Sequence, residues 1–139
     1  MAVGATIKLE TVGQIMSTNT MRIQQDVNGL SIAIALLSSH TPGAPVVDDV
    51  GRFVGFISEF DLLKALDDGK DLNALLAKDL MKKDRITISA STSLREAAEL
   101  MEKNRLLNLP VEEGGVVTKT VTRHDLLRTL LGMDIGIDF

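Results

Sequence analysis

The chain has 139 residues, a formal net charge of -4, a sequence pI near 5.1 and no cysteine. The length suits one compact domain or two small halves that share a core. The lack of cysteine excludes disulfides, zinc sites with thiolate ligands and a thiol nucleophile. The net negative charge disfavours a general nucleic-acid binder, whose affinity comes from clustered Lys and Arg.

The N-terminal sequence, MAVGATIKLE, has no basic region that leads into a long apolar stretch. The longest clean apolar run, residues 32–37, is far shorter than the roughly 20 residues that a membrane span needs. We therefore expect a soluble cytoplasmic protein with neither a membrane nor a nucleic acid as its partner.

The sequence repeats itself with an offset of 65 residues. Pro45-Val46 aligns with Pro110-Val111, and after the following turn the offset becomes 64, so that Asp61 aligns with Asp125. Such self-similarity is the mark of an internal duplication. We place repeat 1 at residues 12–76 and repeat 2 at residues 77–131, with terminal segments at 1–11 and 132–139.

Each repeat predicts the same order of elements along the chain. A short strand, near residues 21–24 and again near 86–89, is followed by a helix, two strands joined by a tight turn, and a second helix. The predicted fold class is α+β, with two β-α-β-β-α repeats.

The first helix of repeat 1 is apolar nearly all round. Ile34 and Leu37 stand where repeat 2 has Glu99 and Glu102, so its outer face should meet another surface. That surface is either the N-terminal segment or the other repeat, or it is a second subunit in a homodimer.

A Ser-x-x-Asp step follows the hairpin of repeat 1, and a Thr-x-x-Asp step follows that of repeat 2. Ser58 and Thr122 end a strand and open a helix, which is where hydroxyl and carboxylate side chains cap the first helical N–H groups. The same pair could instead form a binding site, because a carboxylate accepts both hydroxyls of a ribose and a helix N-terminus attracts phosphate. Both interpretations stay open for a single copy, whereas the repetition favours a nucleoside site.

These residues carry a resemblance to a known family, the tandem CBS domain pair or Bateman module, over about residues 12–131. The matching positions are Met16, Pro45-Val46-Val47-Asp48, Gly55-Phe56-Ile57-Ser58 and Asp61 in repeat 1, and Met81, Pro110-Val111, Thr122 and Asp125 in repeat 2. The resemblance implies two repeats packed about a pseudo-twofold axis, two clefts that bind AMP, ADP, ATP or S-adenosylmethionine, and frequent homodimers. We expect no metal to be required.

Carried over by position, the resemblance gives each repeat a set of ligand-binding residues. Asp61 and Asp125 would accept the ribose hydroxyls, Ser58 and Thr122 would lie beside them, and neighbouring strand backbone would border the base. The remaining members of the expected site are Gly43, Ala44, Pro45 and Ile57 in repeat 1, and Asn108, Leu109, Pro110 and Val121 in repeat 2.

Repeat 2 departs from the family pattern because Lys119 stands where repeat 1 has Gly55. Lys119 is either a phosphate contact or a solvent-facing strand residue. Arg123 and Arg105 are further phosphate candidates, and each could equally be a solvated helix residue. Residues 12–76 hold four basic and eight acidic residues against ten and ten in residues 77–139, so phosphate should prefer the second half.

No catalytic or metal-binding constellation emerges from the remaining residues. His40 and His124 occupy non-equivalent places in the two repeats, which disfavours a shared metal site. No nucleophile elbow accompanies the serines. We expect a sensor with no chemistry of its own, which binds an adenosine-containing ligand and signals to an effector protein. The alternative is a constitutive interaction or dimerisation module without ligand sensing.

Overall fold

The computed structural model describes residues 10–17 and 19–132, and it confirms the predicted α+β class. The strands are β1 (Ile23–Gln24), β2 (Gly43–Val47), β3 (Phe53–Ser58), β4 (Ile88–Ser89), β5 (Asn108–Glu113) and β6 (Val116–Thr122). The helices are α1 (Gly29–Ser39), α2 (Glu59–Asp67), α3 (Ala77–Leu80), α4 (Leu94–Asn104) and α5 (Arg123–Leu130), with 3-10 turns at Val12–Gln14 and Leu72–Ala74.

Two three-stranded sheets repeat the same topology. Their strand orders are β1-β2-β3 and β4-β5-β6, and the short first strand of each runs parallel to the second. Ile23 pairs with Val46 in the first sheet, and Ile88 pairs with Val111 in the second. Both members of the second pair lie 65 residues after their counterparts, so the register itself is duplicated.

The long helices α1 and α4 begin and end at equivalent residues. The side chains of Asn28 and Ser93 each accept an N–H of the first turn, from Ser31 and Glu96 respectively. His40 and Arg105 end the two helices in the left-handed conformation, both with φ of 53°. Since glycine usually ends a helix this way, the shared non-glycine ending is a further sign of duplication.

The chain forms two compact units whose boundaries differ from those of the sequence repeats. The first-repeat unit contains Met21–Ile86 with Gly114–Val117. The second-repeat unit contains Thr87–Glu113 together with the described residues from Thr118 to Gly132 and from Glu10 to Thr20. The segment that begins each repeat in sequence therefore belongs to the unit of the other repeat. We call the residues from Val12 to Thr20 leading segment 1 and residues 77–86 leading segment 2.

Backbone hydrogen bonds hold each leading segment in its unit. In the first-repeat unit, Lys82 and Phe56 exchange two N–H to carbonyl bonds of 2.8 Å, and the Ala77 N–H donates to the Val27 carbonyl over 2.8 Å. In the second-repeat unit, the N–H groups of Val12 and Gly13 donate to Thr92 and Ala90 over 2.9 Å. Each segment satisfies strand and turn groups that would otherwise lack partners.

The core of the first-repeat unit forms where α1, α2, the sheet and leading segment 2 meet. Its buried side chains lie on the inner faces of the helices and strands, as amphipathic packing requires. They are Ile23, Ile32, Leu36, Ala44, Val46, Ile57, Leu62, Ala65, Leu72 and Ala77, with Met81 and Leu80 packed at their edge.

Glycine at position 55 makes room for leading segment 2. A Cβ atom at Gly55 would lie 2.5 Å from the Met81 sulfur and 3.0 Å from the Lys82 carbonyl oxygen, so the methionine can lie across β3 only if no side chain is present there. In repeat 2 the equivalent Lys119 instead donates through Nζ to the Gly13 and Ile15 carbonyls, over 3.2 and 2.9 Å. Lys119 thus binds the backbone of leading segment 1, a role that sequence reasoning did not anticipate.

We expect Gly55→Ala to lower the free energy of unfolding by about 1–3 kcal/mol, because the added methyl group overlaps the Met81 side chain. Denaturant unfolding followed by circular dichroism measures this loss. In a Met81→Ala background the same glycine substitution should cost less, because the sulfur that it meets is gone. Equal costs in the two backgrounds would contradict the steric account.

Candidate functional site

The structure brings the expected ligand-binding residues of repeat 1 together at one end of the β2–β3 hairpin. Gly43 pairs with Ser58, Ala44 with Ile57, and Pro45 with Phe56. Apart from Ser58, which is half-buried, these residues are buried. Where α2 begins, the Glu59 N–H donates to the Pro42 carbonyl over 2.9 Å and holds the two strand ends together.

Asp61 forms a reciprocal cap with Ser58 at the start of α2. Its Oδ2 accepts from the Ser58 N–H at 2.9 Å and from the Ser58 hydroxyl at 3.0 Å, while the Asp61 N–H donates to Ser58 Oγ at 3.2 Å. The Asp61 side chain is 8% exposed. The cap that the sequence predicts is present, and it fixes the carboxylate where β2 starts and β3 ends.

Two cations from leading segment 2 lie near Asp61. Lys82 Nζ is 3.5 Å from Asp61 Oδ1, with the lysine side chain 60% exposed. The Arg85 guanidinium lies 3.9 Å from the centroid of the Phe56 ring. Burial lowers the pKa of Arg85 from its ordinary value, while the charges of Asp61 and Asp84 act in the opposite direction. An arginine stays protonated under such conditions, so Arg85 is a fixed positive charge.

The equivalent cap in repeat 2 is more deeply buried. Asp125 Oδ2 accepts from the Thr122 N–H at 3.0 Å, and the Asp125 N–H donates to Thr122 Oγ1 at 3.0 Å. Arg128 Nη2 lies 3.2 Å from Asp125 Oδ1 and donates to the Met16 carbonyl over 2.6 Å. The Asp125 side chain is 0% exposed and that of Arg128 is 20% exposed, so this carboxylate is fully buried within its unit.

Leading segment 1 also contributes side-chain and backbone contacts around Asp125. The Ser17 hydroxyl donates to the Thr120 carbonyl over 2.5 Å and lies 3.5 Å from Asp125 Oδ2. The Thr120 N–H donates to the Asn19 carbonyl over 3.0 Å. Repeat 2 therefore keeps the cap of repeat 1, with a different set of neighbours around it.

The other expected residues of repeat 2 divide between two places. The strand residues are buried at the start of β5 and the end of β6, whereas Arg105 and Arg123 are exposed and line a groove between α4 and α5 of about 540 Å³. The guanidinium that pairs with Asp125 belongs to Arg128. The buried strand residues are Asn108, Leu109, Pro110 and Val121.

Sequence reasoning missed three residues that contact the capping carboxylates: Ser17, Lys82 and Arg128. Arg128 lies three residues after Asp125, a spacing that places two side chains on one helix face, so a local signal for it existed. Ser17 is 108 residues from Asp125 in sequence, and no local pattern indicates such a contact. Lys82 is likewise distant from Asp61 in sequence, and the two side chains approach each other only in the folded chain.

The unit boundaries also change where the charge lies. Leading segment 2 carries four of the ten basic residues of positions 77–139, and it lies in the first-repeat unit. Counted over the described residues, the first-repeat unit has eight basic and ten acidic residues, and the second-repeat unit has six and seven. The charge difference between the two halves of the sequence is therefore much smaller between the two units.

Apolar grooves run along the helix pair of each unit. The groove between α1 and α2 encloses about 260 Å³ and is lined mainly by leucine. Ile34 is 57% exposed and Leu37 is 65% exposed, so none of the described residues covers the outer face of α1. We considered the N-terminal segment as a cover for this face, and residues 1–9 of that segment lie outside the described part of the chain. The second groove is the one between α4 and α5.

Two further classes of feature were searched for in residues 10–17 and 19–132. No group of three or more His, Cys, Asp or Glu side chains within these residues is arranged to hold a metal ion. Among the helices that they form, none has the length and apolarity needed to cross a membrane.

Comparison with known proteins gives relatives that match most of the chain. The protein MJ1225 of Methanocaldococcus jannaschii, itself uncharacterized, is 29% identical over 125 residues, which cover 90% of this chain and 44% of MJ1225. The chain thus spans less than half the length of this relative.

Solved structures match the fold over most of the chain. CBSX2, crystallised in complex with AMP, is 26% identical, with a TM-score of 0.76, and the match covers 88% of this chain and 97% of CBSX2. The CBS domain pair of MJ0100, crystallised with 5'-methylthioadenosine and S-adenosylmethionine, is 25% identical, with a TM-score of 0.75, and the match covers 88% and 96%.

The family comparison agrees with these structures and with the duplicated register. The family described as "CBS domain" matches twice, at residues 12–68 and 77–132, one match in each sequence repeat. Together the two matches cover most of the chain. The protein belongs to the CBS domain family and contains a tandem pair of these domains.

Proposed function

We propose that this chain is a regulatory module that binds an adenosine-containing ligand, AMP, ADP, ATP or S-adenosylmethionine, and signals its occupancy to an effector protein. The observation that carries the proposal is the Ser58–Asp61 junction, where a capped carboxylate lies beside a buried apolar strand end. Two relatives with the same fold and 25–26% identity were crystallised with adenosyl ligands, which supports this ligand class.

The chemistry of Asp61 suits a ribose. An ionised carboxylate has about four lone-pair positions, and the cap with Ser58 uses only Oδ2. Lys82 Nζ lies 3.5 Å from Oδ1, beyond normal hydrogen-bond length. Oδ1 therefore keeps acceptor capacity for a ribose hydroxyl, while the buried residues of β2 supply an apolar border for the base.

A regulatory role fits these residues better than catalysis. Ser58 Oγ accepts the Asp61 N–H and donates to the Asp61 carboxylate, so the hydroxyl and the carboxylate are both held in the helix cap. The second candidate function is a constitutive interaction module. The exposed apolar helix faces favour it, and ligand-dependent stability separates the two functions.

The first test of the proposal is calorimetric titration of nucleotide-stripped protein with AMP, ADP, ATP and S-adenosylmethionine. We expect saturable binding of at least one ligand, and its loss in the Asp61→Ala variant. At a hundredfold excess over the dissociation constant, the bound ligand should also raise the unfolding free energy by about 2.7 kcal/mol. No binding and no stabilisation by any of the four would reject the sensor in favour of the interaction module.

Stability measurements on the two aspartates separate capping from pairing. Asp61→Ala should cost about 1–2 kcal/mol, the value of a lost helix cap. Asp125→Ala should cost about 3–5 kcal/mol, because it leaves the largely buried Arg128 without its carboxylate. Urea unfolding of both variants measures the difference, and Asp125→Ala with Arg128→Met should recover part of the loss. Equal costs at the two aspartates would refute this distinction.

We further propose that the module forms a homodimer through the outer face of α1, where Ile34 and Leu37 are exposed. Sedimentation velocity should then find a dimer that Ile34→Glu or Leu37→Glu weakens by at least about tenfold, because a charge would be buried in an apolar contact. Asn73→Glu, which adds the same charge at an exposed position outside α1, serves as the matched control. A monomeric wild-type protein would rule the proposal out.

A further inference from the structure

The two apolar grooves correspond to each other residue by residue. Each residue that lines the groove between α1 and α2 has a counterpart 64 or 65 positions later that lines the groove between α4 and α5. The leucines of α2 are matched by leucines of α5, namely Leu62, Leu63 and Leu66 by Leu126, Leu127 and Leu130. The duplication has therefore kept the same apolar surface in both units.

The outer leucines of both grooves are open to solvent to a similar extent. Leu63 is 62% exposed and Leu127 is 61% exposed. Contiguous exposed apolar side chains of this kind mark a docking surface. Leu37, which lines the first groove, also belongs to the outer face of α1, so this groove is continuous with the homodimer contact proposed above.

The grooves differ in the sign of their charge. The first residue of α2 is Glu59, the matching first residue of α5 is Arg123, and both are exposed. Among the described residues that line the α1–α2 groove, Glu59 is the one charged side chain, so that groove carries a charge of -1. The α4–α5 groove is lined by Glu102, Arg105 and Arg123, one negative and two positive side chains, and carries +1. The apolar surfaces match, whereas the charges are opposite.

This difference selects between the two ways in which grooves of two copies can meet. A contact between identical grooves is symmetric, so a residue near its axis lies close to the same residue of the second copy. Two Glu59 carboxylates, or two Arg123 guanidinium groups, would then repel each other. A contact between unlike grooves brings opposite charges together on the same apolar background, and such complementarity gives specificity.

We propose that the α1–α2 groove of one copy binds the α4–α5 groove of a second copy, with Glu59 facing Arg105 and Arg123. This inference rests on the homodimer proposed above and specifies which faces meet. The two arginines, considered above as phosphate contacts, thereby pair with a carboxylate of the partner copy. The leucines of α2 and α5 supply the apolar centre of the contact.

Crosslinking tests this arrangement directly, because the chain has no cysteine and a single introduced thiol reports on one position. Leu63→Cys labels one groove, and Leu127→Cys labels the matching position of the other. After subunit exchange, an equimolar mixture of the two variants treated with a short bismaleimide should give covalent dimers, whereas neither variant alone should give them. Asp49→Cys, at an exposed position between β2 and β3, replaces Leu63→Cys in the control mixture and should stay uncrosslinked.

Charge reversal gives a second test that does not depend on the crosslinker. Glu59→Arg and Arg123→Glu should each weaken the dimer by about tenfold or more in sedimentation equilibrium, because like charges then meet. The two changes combined in one chain should restore most of the affinity, since opposite charges meet again. Asp49→Arg, the matched control, reverses one charge outside both grooves and should leave dimerisation unchanged. Thermal unfolding of every variant checks that it folds.

The outcomes separate the arrangement from the dimer and from the ligand. Covalent dimers in the solution of either cysteine variant alone would show that identical grooves meet and would overturn the inference. A dimeric mixture that is not crosslinked, or a combined charge reversal that restores nothing, would overturn it as well. A monomeric wild-type protein would overturn the inference together with the homodimer, whereas ligand binding is measured independently by the calorimetric titration described above.

Discussion

The reciprocal hydrogen bonds between a strand-end hydroxyl residue and an aspartate three residues later are the constraint on which each unit depends. The carboxylate must accept the N–H of Ser58 or Thr122, so its position is set by the backbone of the junction. The same bonds start α2 and α5 and fix where each helix leaves its sheet. A group that is needed for folding is thereby held in a defined place, which is the preorganisation that a binding site requires.

The two junctions differ because of what surrounds them. Asp61 has a loosely held lysine nearby, whereas Asp125 is fully buried and paired with a largely buried arginine. A buried ion pair contributes little to stability relative to apolar packing, but removal of one partner is costly. Asp125 therefore behaves foremost as part of the framework of its unit, while Asp61, itself 8% exposed, combines the framework role with a solvent-exposed lysine as its neighbour.

Much of this fold could be read from the sequence because its signals are local or repeated. The offset of 65 predicts which strands share a register, and the pairings of Ile23 with Val46 and Ile88 with Val111 confirm it. A helix cap joins residues that are only three positions apart in sequence, so the Ser58 and Thr122 junctions were also predictable. The contacts of Ser17, Lys82 and Lys119 were not, because each joins segments whose proximity arises only after the chain has folded. The ligand roles of the junction residues stay predictions.

The exchange of the two leading segments has a consequence for the evolution and engineering of the chain. Because neither compact unit is encoded by one uninterrupted stretch, a cut between the sequence repeats gives two pieces that each lack a strand-covering segment and carry one suited to the other piece. Modular recombination of this chain would keep both units complete only if residues 12–132 were transferred together, since each unit takes its leading segment from the other sequence repeat.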